Sequence, residues 1–219
     1  MRRSFTVSAV AATIIGLGTT PALAHDGNGD EDRHGRGGFV PVEEIVPDYY
    51  APVTFDACGD TITMETGDVR QVVARQTVSA DSVFTEFRGG WTVDLVRHSD
   101  HARIDELDIS GAGSDETRPD GISIYLEGPS ILFPMDDLQR QAMRDAGIET
   151  DLAYYERGVV EIEVALDAAG VPVSEEWTRV DARIRDLCTQ FDRDDDHRDD
   201  RHHRDHARTH HEGKTHHRG

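Results

Sequence analysis

The chain has 219 residues, 37% of them apolar and 30% charged, with a formal charge of −20. That length allows one domain with a substantial core. The acidic balance argues against nucleic acid or an anionic membrane as partner, because phosphate binding needs clustered Lys and Arg.

The first 24 residues read as a signal peptide. Met1-Arg2-Arg3 is a basic start, Phe5 to Leu17 is a largely apolar run, and Ala22-Leu23-Ala24 after Pro21 supplies the small residues a signal peptidase reads. Gly16, Gly18 and Pro21 break the run well short of the roughly 20 apolar residues a membrane span needs. Cleavage after Ala24 would leave an exported, soluble chain with no membrane insertion. Residues 25–46 are assigned to a disordered acidic, Gly-rich segment, since His25 to Gly38 offers almost nothing to bury. His25 at a mature N-terminus has the amine and imidazole that chelate copper in lytic polysaccharide monooxygenases, but a polar stretch follows it where such a site needs a strand.

Residues 47–191 form the predicted β-domain. Between Tyr49 and Phe191 there are 28 acidic and 12 basic side chains, a charge of about −16. Short β-branched and aromatic runs alternate with Gly, Asp and Ser, the pattern of antiparallel strands and tight turns. Ile62 and Met64 share a face before a turn at Thr66-Gly67-Asp68, and Val72, Ala74 and Val78 share the next before Ala80-Asp81-Ser82. Val83, Thr85 and Phe87, then Trp91, Val93 and Leu95, flank Gly89-Gly90 as a hairpin. After a polar turn at His98 to His101 the period slips between Ile104 and Leu107, which predicts a β-bulge. Gly111 to Gly121 reads as a polar loop and Ile122, Ile124 and Leu126 as a strand. A short helix follows, capped by Asp136 or Asp137, with Leu138, Ala142, Met143 and Ala146 on one stripe and Gly147 as its stop. Val160, Ile162, Val164 and Leu166 alternate as a half-buried strand, Asp167 to Gly170 turns, and a last strand runs over about 178–187.

Cys58 and Cys188 are the two cysteines of an exported chain, so a disulfide is expected. Both fall on the inward parity of their predicted strands. The expected fold is all-β, an antiparallel up-and-down barrel of about eight strands with one short helix. A two-sheet β-sandwich is the alternative. The bonded cysteines favour the barrel, because in a closed meander the first and last strands must be neighbours.

Enzyme motifs are sparse. There is no Gly-x-Ser-x-Gly, no phosphate-cradling Gly-rich loop and no His-Glu-x-x-His. Glu161 with Glu163, and Asp105 with Asp108, are carboxylate pairs of the kind glycosidases use, at an acidity where such pairs arise by chance. His98 and His101 share a turn but lack a third metal ligand. Residues 192–219 are predicted to be a disordered tail holding His197, His202, His203, His206, His210, His211, His216 and His217 among Asp and Arg. Imidazoles on a flexible chain bind Zn, Ni or Cu weakly without a preformed site. Seven basic and eight acidic tail residues nearly cancel until the histidines protonate. A tail detached at every pH is the favoured outcome, and an intramolecular contact between tail and domain that switches on between about pH 7 and pH 5 is the alternative.

Cys58-Gly59, the run Trp91 to Leu95, Asp108-Ile109-Ser110-Gly111 and Arg185-Asp186-Leu187-Cys188 together resemble a group of small secreted actinobacterial β-domain proteins with a Cys near each end of the domain. The resemblance spans the domain without its tails and implies no activity. The helix and the acidic tone depart from the group's pattern. The reading at this point is a secreted, non-enzymatic β-domain of unknown ligand (a small molecule, polymer or protein) with a metal-capable tail. A secreted carboxylate-dependent hydrolase is the alternative.

Overall fold

The computed structural model describes residues 38–192. The signal peptide and the histidine tail lie outside the described residues. Strands form where β-branched and aromatic residues alternate with polar ones: β1 (Val40–Pro41), β2 (Val53–Ala57), β3 (Asp60–Arg70), β4 (Val73–Val78), β5 (Val83–Arg88), β6 (Trp91–Arg97), β7 (Arg103–Asp108), β8 (Gly113–Arg118), β9 (Gly121–Glu127), β10 (Ser130–Leu132), β11 (Ala153–Tyr155), β12 (Gly158–Leu166), β13 (Pro172–Ala182) and β14 (Arg185–Asp186). A 3-10 turn (Val42–Glu44) and the helix α1 (Asp137–Asp145) accompany them, and residues 188–192 form a further helical turn after β14.

The protein is all-β and antiparallel, but no sheet closes into a barrel. One sheet runs β1-β4-β5-β8-β9-β12-β13, a second β2-β3-β6-β7 and a third β10-β11-β14. Even-numbered steps of the chain, β2→β3 to β12→β13, are hairpins within one sheet, and every odd-numbered step, beginning with β1→β2, crosses between sheets. The chain leaves the seven-stranded sheet at β5→β6, β9→β10 and β13→β14, and returns to it at β3→β4, β7→β8 and β11→β12. Each long strand is thus bent across two sheets, and the meander expected from sequence is preserved as an order of bent strands.

The corners touch one another. Gln71 N–H donates to the Gly90 carbonyl (2.8 Å), Gly111 N–H to Pro129 (2.8 Å), and Gly128 N–H to Gly158 (3.1 Å). Several corner glycines admit no side chain, Gly111 among them, whose Cβ would lie 1.9 Å from the Glu127 carbonyl oxygen. Gly89 has φ +125° and a Cβ on it would lie 2.1 Å from the Gln71 carbonyl oxygen; Gly158 has φ +116° and its Cβ would lie 2.2 Å from that of Asp181. Gly89-Gly90 is therefore a corner between sheets and not the expected hairpin: β5 pairs with β4 and β8, while β6 pairs with β3 and β7.

Cys58 and Cys188 are bonded, with Cα atoms 5.2 Å apart and a sequence separation of 130. The geometry differs from the strand-to-strand link expected. Cys58 sits in the tight β2–β3 turn at φ 57°, and Cys188 follows β14, so the bond ties the four-stranded sheet to the end of the three-stranded one. In the chain-entropy account so long a loop is worth about 5 kcal/mol.

Other boundaries shift for identifiable reasons. Thr66-Gly67-Asp68 does not turn but lies inside β3, where the register against β6 slips between Thr66 and Arg70. The polar loop 111–121 contains β8, whose hydrogen bonds to β5 and β9 need no apolar side chains. The folded chain begins before Pro47, because Phe39 packs beneath the guanidiniums of Arg75 and Arg88 (4.9 and 3.6 Å to the ring centre), β1 pairs with β4, and Val42 is fully buried. The last strand breaks at Arg183-Ile184 to change sheets. The bulge expected between Ile104 and Leu107 is present: Val93 pairs with Leu107 and Leu95 with Ile104, with Glu106 at φ 52°.

The core has two clusters. Tyr49, Phe55, Ile62, Val93, Leu95 and Phe133 belong to the first, beneath the four-stranded sheet; Ile122, Ile124, Leu132, Met143, Val160 and Ile162 belong to the second. The helix starts where Asp136 accepts a hydrogen bond from Gln139 N–H (2.9 Å), buries Gln139, Ala142 and Met143, and packs on β13.

Candidate functional site

Interior polar groups come first, because they are costly unless used. β8 lies between β5, whose Phe87 belongs to the first cluster, and β9, whose Ile124 belongs to the second. Its inward residue Asp115 is paired across the sheet with Thr85 and Ile124 and is 4% exposed. The Oδ1 atom has no hydrogen-bond partner among the described residues. Burial alone pushes this carboxyl up to about 7, so it holds a proton in the range where surface carboxylates are ionised. Glu175 on β13 is also raised, mainly by burial, although it accepts a hydrogen bond from Trp177 Nε1 (2.8 Å).

These two raised carboxyls do not converge. Three strand spacings separate β8 from β13, about 14 Å, whereas glycosidase pairs stand roughly 5 to 9.5 Å apart. The pairs visible in the sequence are already engaged. Glu161 is paired with Arg179 (3.2 Å), and Glu163 takes Arg118 (3.3 Å) and the Ser123 hydroxyl (2.8 Å). Asp105 is paired with Arg103 (2.8 Å), and Asp108 accepts from Ser110 N–H (2.9 Å). His98 Nε2 is 2.7 Å from the Thr63 hydroxyl and His101 occupies a left-handed turn position at φ 60°. Among the described residues no group of three or more His, Cys, Asp or Glu side chains could hold a metal ion.

Two open clefts of about 460 Å³ each mark the surface. One, beside the disulfide, is lined by Asp56, Asp60, Thr61, Arg140 and Asp151, and its charges are satisfied. Arg140 pairs with Asp151 (2.7 Å); Asp60 is held below the usual carboxylate range by the Ser99 hydroxyl first, then by the Thr61 and Ser99 N–H groups that donate to it.

The other cleft lies where the sheets part. It is built from the β11→β12 corner (Tyr154, Tyr155, Glu156, Arg157) and the β13→β14 corner (Arg183, Ile184, Arg185). These corners meet because Gly158 lets the first run against Asp181 and Ala182 of the second. Arg185 is fixed by Glu156 (2.6 Å) and lies over the Tyr154 ring, 5.6 Å from its centre. Arg157 and Arg183 are exposed, and neither side chain has an ion-pair or hydrogen-bond partner among the described residues.

That pairing is unusual for this surface. All twelve cationic residues from 38 to 192 are arginine, in a stretch with many more carboxylates. Arg75, Arg97, Arg103, Arg118, Arg140, Arg179 and Arg185 have carboxylate partners, Arg70 bonds the Thr66 and Gly67 carbonyls, and Arg88 covers Phe39. Arg144, Arg157 and Arg183 remain, and two of those three line one cleft. Counting net charge over the domain concealed this. The visible signal was Arg157 beside Gly158 and Arg183-Ile184-Arg185 at strand ends.

The eight histidines from His197 to His217 lie outside the described residues, as does His25. No helix among the described residues is long and apolar enough to cross a membrane. The disulfide points to an oxidising compartment. Comparisons with protein-family models, curated proteins and solved structures found no match for this chain.

Proposed function

We propose that this chain is an exported, non-enzymatic binding domain, grouped with the secreted actinobacterial β-domains it resembles, and that it takes its ligand in the cleft at the β11→β12 and β13→β14 corners. The observation that carries the reading is the cleft itself. Its volume of about 460 Å³ is within the range of small-ligand sites, and an aromatic ring, an aliphatic side chain and uncommitted donors meet in it. The hydrolase alternative requires a second carboxyl within reach of Asp115, and Glu175 is three strands away. In the same reading the tail histidines add weak affinity for Zn, Ni or Cu.

A fragment screen followed by amide chemical-shift mapping on the full mature chain tests the site. The expected result is a set of small ligands whose shifts cluster on residues 154–157 and 183–185. Shifts that cluster elsewhere, or turnover of glycoside or ester substrates abolished by Asp115→Asn, would replace the reading.

A further inference from the structure

We propose that the cleft between the two corners is a site for a small organic oxyanion, such as a phosphate monoester, gripped by Arg157 and Arg183 with its organic part against Ile184. This deepens, and rests on, the binding reading above by naming the ligand's chemical class.

The first support is charge left unspent. Guanidinium groups on an acidic surface find carboxylates readily, and seven of the twelve here have done so. Among the described residues Arg157 and Arg183 have no partner for their side-chain donors, and they stand on two chain segments that the Gly158 contact holds together. A guanidinium is always charged and presents a planar fork that matches two oxygens of a phosphate or carboxylate.

The second support is order around those two donors. Arg185 is held by Glu156 and by the Tyr154 ring, so it frames the cleft as a fixed, partly neutralised wall. Tyr154 is 6% exposed and Tyr155 fully buried, which anchors β11 in the core and leaves Arg157, just beyond it, exposed. A ligand closing two such side chains loses less entropy when the backbone beneath them is already fixed.

The third support is size selection by the rest of the molecule. The cleft's three arginines and one glutamate sum to about +2 in a domain of about −16. Close contacts act inside a Debye length of about 8 Å, so a small dianion feels the local arginines. A long polyanion would lie across the acidic surroundings and be repelled. The site therefore suits a small molecule, in keeping with the exclusion of nucleic acid by composition.

The test uses the mature full-length protein, isotopically labelled, titrated with phenyl phosphate, inorganic phosphate and phenol. Phenyl phosphate is expected to shift the amides of 154–157 and 183–185 saturably, inorganic phosphate more weakly, and phenol not at all. The double variant Arg157→Gln/Arg183→Gln should weaken phenyl phosphate at least about tenfold with an unchanged melting temperature, because neither side chain holds the fold together. Arg144→Gln, at the other arginine without a side-chain partner among the described residues, should bind as the parent does. Loss of the effect on Arg144→Gln, unchanged affinity in the double variant, or no saturable shift with phenyl phosphate overturns the inference. If neutral fragments then still map to the cleft, the binding reading survives without the oxyanion. If nothing maps there, both fall.

Discussion

The seven-stranded sheet carries two unequal roofs. Over one half stands a four-stranded sheet whose β3 spans eleven residues, with Tyr49 packed on Phe87 and Trp91 (ring centres 5.9 and 4.9 Å apart) and Phe55 stacked on Phe133 at 3.9 Å. Over the other half the strands β10, β11 and β14 are three, three and two residues long, and α1 supplies the rest of the cover. The floor is the same in both halves. What differs is how much backbone is committed to hydrogen bonding overhead, and the cleft opens in the half where little is. A rigid floor with a sparse roof places side chains accurately while leaving room between them.

Joining the roofs should matter most. Replacing Cys58 and Cys188 together by alanine is expected to cost about 3 to 5 kcal/mol, read from denaturant unfolding, with hydrogen exchange rising first at β14 and residues 187–191. If exchange rises first in β2 and β3, the long-stranded roof is the weaker one and the comparison inverts. Beneath the first roof, where Phe133 from the end of β10 stacks on Phe55, Phe133→Ala should lose about 3 to 5 kcal/mol, since Phe133 is 3% exposed.

Asp115, at the boundary between the halves, predicts a pH effect. The folded carboxyl titrates at about 7 against an ordinary value of 3.8, so the folded state keeps a proton that the unfolded chain releases. From this group stability is full below about pH 4, falls by about 1.4 kcal/mol per pH unit, and levels off above about pH 7. Asp115→Asn should match the parent in acid and exceed it by about 2 to 4 kcal/mol at pH 8, measured as the difference between the two unfolding curves. A constant difference at every pH would mean that the buried carboxyl is not the source. The smallest effect belongs to the second roof: Asp136→Ala removes the cap on Gln139 N–H and should cost about 1 kcal/mol.

Much of this was readable from residue order and some was not. Alternation found the inward faces of β5, β6, β9 and β12, and the helix with its cap, because burial leaves a period in the sequence. It could not separate a hairpin from a corner at Gly89-Gly90. Phe87 and Trp91 face inward in either case, and both structures need glycine; the difference lies in which distant strand receives the hydrogen bonds. β8 was unreadable for the opposite reason, since Gly113 to Arg118 has no apolar residue and its one buried side chain is an aspartate. The disulfide followed correctly from compartment and cysteine number, while the parity argument for it failed at Cys58, which lies in a turn. The cleft was invisible because its two halves stand about 26 residues apart and become neighbours only through the corners.

The absence of lysine from the described domain has a practical side. The single lysine of the whole chain is Lys214, in the tail. An amine-reactive dye or resin would therefore couple at Lys214 and the N-terminal amine, and every guanidinium of the domain, Arg157 and Arg183 included, would stay unmodified. Tethered in that way, the protein presents its cleft unaltered to whatever passes over the surface, so that the proposed binding can be tried directly on mixtures.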